Sequence, residues 1–87
     1  MKYEVKLNYQ NLGNKYIVDC ICYKGDFYDY TDDLTGQTMQ GFSRAVHYVF
    51  DFMVDIVPLE KPNLAEIAIE TVIKQYPQLN RQDFIND

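Results

Sequence analysis

Few side chains in this 87-residue chain have catalytic reach: one histidine and two cysteines, set among 13 carboxylates and 8 lysines and arginines. Ser43, His47 and Asp51 stand four residues apart. A serine, a histidine and an aspartate are the parts of a nucleophilic relay, in which the imidazole takes the hydroxyl proton and the carboxylate orients the imidazole. Spacing of four would line them along one solvated helix face, with neither a cleft nor oxyanion donors. The row therefore reads as local pairing of Arg44, His47, Asp51 and Asp55, not as a catalytic set. Cys20 and Cys22 lie two apart on one strand face, where a bond between them would close a very short, strained ring. Structural zinc takes four nitrogen or sulfur ligands, more than the two cysteines and one histidine supply. Both thiols are expected to be reduced and packed in the core. No catalytic residue, metal or other cofactor is expected.

The carboxylates are a different matter. In "GDFYDYTDDLTG", Asp26, Asp29, Asp32 and Asp33 alternate with Phe27, Tyr28 and Tyr30, and no base falls between Lys24 and Arg44. Their spacing does not match the calcium loop D-x-D-x-D-G-x5-E. Two readings remain. Charge on an edge strand blocks unwanted pairing with other chains. Alternatively, rings supply contact area while carboxylates steer a basic partner, standing in for phosphates on a nucleic-acid-binding surface of another protein.

The net charge of −5 disfavours direct nucleic-acid binding, which draws on lysine and arginine to displace phosphate counterions. Only Arg44 and Arg81 offer planar forks, and they are far apart in sequence. The length suits one small α+β domain spanning residues 1–87. "MKYEVKLNY" alternates and lacks the apolar core of a signal peptide, and no run approaches the roughly 18 apolar residues of a membrane span. The expected setting is cytoplasmic, away from membranes.

The elements that must position these residues follow from periodicity. Residues 2–9 alternate as a strand, with Tyr3, Val5, Leu7 and Tyr9 on one face. "QNLGNK" is turn chemistry. Residues 15–23 form a second strand, apolar on both faces and so central, in which Asp19 is expected to pair with Lys6 or Lys15 across the sheet. "KGD" predicts a tight hairpin turn at Gly25, with the acidic stretch returning as a third strand to Tyr30 or Thr31. From Thr38 to Val57, Met39, Phe42, Val46, Val49, Met53 and Ile56 recur at spacings of three and four, which predicts an amphipathic helix stopped by Pro58. Its apolar arc is wide. Tyr48 and Phe52 on its flank would pack on the next helix or face another chain, and a C2 homodimer would bury them. A second helix is expected from Asn63 to Tyr76, with Asn63 and Glu66 as a capping box and Ala65, Ala68, Ile69, Val72 and Tyr76 as its buried stripe. "LNRQDFIND" predicts a final helical turn or two capped by Asn80, with Leu79 and Phe84 as a hydrophobic staple. The expected fold is a three-stranded antiparallel meander followed by two α-helices packed on one face and a short C-terminal helical turn.

The order of "MKYEVKLNY" and "KYIVDCICY", then a third strand and a helix, resembles small antitoxin domains of the HicB type as far as about Asp55. That resemblance implies a regulatory module that dimerises through its first helix. It rests on strand pattern alone, because the Pro-Gly segment and acidic helix start of that family are missing. "QYPQLNRQDF" is similar to the linker of antitoxin-like helical domains, but Asp87 is reached before a recognition helix could form. No family is assigned. The leading expectation is a non-enzymatic acidic module that binds a protein with a basic surface, as an inhibitor or accessory factor such as mobile elements encode. Its partner-binding residues would be Asp26, Phe27, Tyr28, Asp29, Tyr30, Asp32 and Asp33, with Tyr48 and Phe52.

Overall fold

A computed structural model describes residues 1–85; Asn86 and Asp87, the end of the tail read as helical, lie outside the described residues. Among the described residues, five strands form two sheets. β1 (Lys2–Asn11), β2 (Lys15–Gly25) and β5 (Ala45–Asp55) make an antiparallel sheet in the order β1-β2-β5, and β3 (Phe27–Thr31) pairs with β4 (Thr38–Phe42) in a second. One helix, α1 (Leu64–Gln75), and a 3-10 turn at Arg81–Asp83 complete the described residues.

The expected three strands and two helices are thus corrected to five strands and one helix in a small α+β-like fold. The stretch read as the first helix is β4 and β5. Its three-and-four spacing is real, but a second period runs through it. Tyr48, Phe50 and Phe52 pack toward the core, while Val49, Asp51 and Met53 alternate with them and are exposed. Because both sides are apolar, hydrophobic period alone cannot separate a strand from a helix here. β-branched and aromatic residues then favour the strand, since they fit a pleated surface and lose rotamer freedom in a helix. A dimer through that helix is lost with the helix.

The role expected of Gly25 is also corrected. β3 does not fold back on β2; the chain runs on past Gly25, and β3 takes β4 as its partner. Gly25 is buried without a left-handed backbone, and a Cβ there would overlap the backbone carbonyl oxygen of Ser43. This glycine permits a close backbone approach where β2 ends. The return loop lies at Asp32–Gln37, where Asp32 N–H donates to Gln37 O (2.9 Å) and Gly36 N–H to Asp32 O (2.7 Å), with Gly36 at φ 70°. The turn at "QNLGNK" is as expected: Gly13 takes φ 94° and its N–H donates to Asn11 Oδ1 at 2.8 Å.

α1 closes one side of the main sheet, chiefly over β1 and β2. Ala68, Ile69 and Val72 are fully buried against Val5, Val18, Cys20, Cys22 and Phe84, while Ala65 and Tyr76 of the expected stripe are half-covered. Asn63 Oδ1 accepts the N–H of Glu66 at 3.1 Å, so the cap forms. The Glu66 carboxylate turns instead to Arg81 (2.6 Å), tying the helix start to the 3-10 turn. Asn80 precedes that turn without capping it through its side chain. Phe84 and Ile85 then lie beside the start of β1, with Ile85 N–H donating to Tyr3 O at 2.9 Å.

Candidate functional site: the projecting arm

β2 leads into β3, and β4 leads back into β5, so the two outer strands form an arm beyond the three-stranded sheet. The joint is pinned at Asp26 and Ser43. Ser43 N–H donates to Asp26 O (3.0 Å), and Asp26 N–H donates to Ser43 Oγ (3.1 Å). The Ser43 hydroxyl also donates to Asp26 O (3.1 Å). Arg44 donates to Glu4 on β1 (2.8 Å) while its guanidinium lies 5.8 Å from the Phe42 ring centroid, bracing the arm's base against the sheet. The hydrogen bond from Arg44, ahead of the opposing cost of burial, holds the Glu4 carboxyl below its ordinary 4.5. With the arm extended, the radius of gyration is 16.1 Å, against about 12 Å for a compact chain of this length.

The ladder separates what the sequence interleaves. Phe27 faces Phe42 and Asp29 faces Gln40 on one side, while Tyr28 faces Gly41 and Tyr30 faces Met39 on the other. The Tyr28 ring occupies the space above Gly41, where a Cβ would stand 2.5 Å from it, and lies 5.9 Å from the Tyr30 ring. One face therefore carries rings and a thioether; the other carries Phe27, Phe42 and the Asp29 carboxylate. All five β3 residues are exposed, Tyr28 to 51%.

The four aspartates are not equivalent. Asp26 pairs with the Met1 ammonium at 3.3 Å, and Asp32 Oδ1 accepts the N–H of Leu34 at 3.0 Å. Asp29 and Asp33 have no cationic partner among the described residues. Tyr48 and Phe52 lie elsewhere, half-buried on β5 with Phe50 between them; ring centroids are 5.0 Å apart for Tyr48–Phe50 and 6.3 Å for Phe50–Phe52. Asp19 makes no ion pair with Lys6 or Lys15; it is exposed between Asn8 and Asp51.

Ser43, His47 and Asp51 do not form a row. Ser43 closes the arm joint, Asp51 is exposed, and His47 is half-buried at an irregularity of β5. The imidazole lies 4.6 Å from the Tyr76 ring and 5.3 Å from Tyr3, and its Nε2 is buried without a hydrogen-bond partner among the described residues. A solvated helix position was expected for it. The extra residue of a strand bulge, which re-aims a side chain, left no hydrophobic-period signal. Burial, and then the charge of Lys24, lowers its pKa below the ordinary 6.5. The folded state thus binds fewer protons than the unfolded one. The His47 contribution is complete above 6.5 and is lost as pH falls toward the lower folded value. His47→Phe should flatten that acid-side loss in thermal melts, leaving the carboxylate-linked loss that begins below 4.5 for Glu4 and Glu66. Equal sensitivity of wild type and variant between those two limits would exclude this account.

Burial raises both thiols, Cys20 and Cys22, to about 11; Asp19 and Asp51 add to the shift at Cys20. They are protonated and packed at neutral pH. No three His, Cys, Asp or Glu side chains among the described residues converge on a point that could hold a metal ion. No helix among them is long and apolar enough to cross a membrane. No family model, curated protein or solved structure matches the chain.

Proposed function

We propose that the protein is a non-catalytic acidic module that docks its β3–β4 arm on a basic surface of another protein, as an inhibitor or accessory factor. The reading is carried by the arm itself: it projects from the sheet with Tyr28, Tyr30, Phe27 and Met39 in water and Asp29 and Asp33 unneutralised. Rings held on a backbone ladder offer apolar area at small entropic cost, and carboxylates beside them raise the encounter rate with a cationic face. A nucleic-acid-binding surface on the partner is the kind of face this charge fits, with the carboxylates standing in for phosphates.

The test is capture from a native lysate on immobilised protein, beside the double variant Asp29→Lys, Asp33→Lys. Those two positions are chosen because neither holds the fold together, whereas Asp26 and Asp32 serve the joint and the loop. A basic protein retained by the wild type and lost from the variant is expected. Equal retention by both would refute the arm as the docking element.

A further inference from the structure

We propose that the outer edge of β5 is a second docking edge, which takes an extended segment of another protein with a basic residue at its centre and apolar residues around it. It is separate from the arm. The main sheet has two edges, and they are treated differently. The β1 edge carries Lys2, Glu4, Lys6, Asn8 and Gln10, and Ile85 N–H already bonds to it at Tyr3. No strand among the described residues pairs with the outer side of β5, which is 11 residues long. Phe52, Met53 and Val54 carry no charge, and proline is absent from the strand. A long unpaired edge whose only carboxylates are Asp51 and Asp55 is a template for strand addition.

Two surfaces meet at that edge. Because α1 sits chiefly over β1 and β2, the Tyr48, Phe50 and Phe52 rings are only half-covered on the helix side. On the opposite side Val49 and Met53 are 63% and 66% exposed, with Asp51 between them. Asp51 stands directly opposite Asp19 of β2, an unfavourable pairing of like charges. Lys6 is diagonal to Asp19 but lies across β2 from Asp51. A cation is thus wanted on the outer side of Asp51. An added strand would place a lysine or arginine there, apolar residues two positions to either side against Val49 and Met53, and further apolar residues against the rings.

A second copy of this chain fits less well. A two-fold pairing centred near Asp51 sets the two Asp51 side chains opposite or diagonal to one another, and one centred on Met53 sets Asp51 opposite Asp55. It also joins two chains of net charge −5.

The probe is the synthetic peptide Thr-Val-Val-Lys-Val-Val-Thr, with its glutamate-centred counterpart as control, titrated into the full chain while amide exchange is followed by NMR. The lysine peptide should slow exchange of alternate β5 amides. Asp51→Lys should weaken it at least about tenfold and should transfer binding to the glutamate peptide. Protection on β3 and β4 instead would overturn the β5 edge and leave the arm reading intact. Protection of β5 that appears without peptide and rises with protein concentration would make the occupant a second copy, and would overturn the proposal. No protection, or no charge swap with Asp51→Lys, would do the same.

Discussion

Ile69→Ala should lower the unfolding free energy by about 2–5 kcal/mol. A domain of this size has only about 4–13 kcal/mol in total, so the variant should stand near the limit of folding. Ile69 is 0% exposed and occupies the middle of α1, in the same buried cluster as Val18, Val72 and the two cysteines of β2. No polar residue is buried among the described residues, so removing the branched side chain leaves a dry void. Urea titration followed by far-UV circular dichroism reads the effect. The midpoint should fall with the slope unchanged. A cost under about 0.5 kcal/mol, the range of a surface substitution, would mean that α1 does not seat on β1 and β2.

The other large effect is expected at Gly25. A single methyl group there overlaps the Ser43 carbonyl oxygen, so Gly25→Ala must push the β4–β5 connection away from β2. Overpacking of this kind costs about 1–3 kcal/mol, and more where backbone rather than a side chain must move. The Asp26–Ser43 bonds stand at the same place and should open together. Ser43→Ala is the comparison, because it removes only the hydroxyl and should cost nearer about 1 kcal/mol. Amide exchange separates the two variants: Gly25→Ala should speed exchange across the joint and along the arm, and Ser43→Ala should act at Asp26 alone. If Gly25→Ala keeps wild-type stability and exchange, the close approach of Ser43 to Gly25 is wrong.

What the sequence discloses follows from where a single period dominates. β1 shows clean alternation, α1 has a cap, a stripe and Pro77 behind it, and both are read to within a residue or two. β3 is read as a strand ending at Tyr30 or Thr31, as it does at Thr31, and given the wrong partner, because "KGD" looks like a turn and the glycine's actual duty, a close approach from Ser43, is visible only once β5 lies beside β2. The largest error, β4 and β5 taken as one helix, comes from a strand apolar on both sides whose residues satisfy two periods together. His47 and Asp51 were placed by that helix, so they move with it. The acidic stretch fares better. The exposure of Phe27, Tyr28 and Tyr30 agrees with their interleaving with aspartates in a stretch without bases, whereas the split into a tyrosine face and an aspartate face needs the β4 register.

The most direct measurement concerns the arm. With the captured partner in hand, association rates are compared between wild type and Asp29→Lys, Asp33→Lys at low and at moderate salt. The wild type should associate at least about tenfold faster at low salt, and the difference should shrink as the Debye length falls toward about 8 Å. Identical rates at low salt would contradict the arm's role in steering the partner.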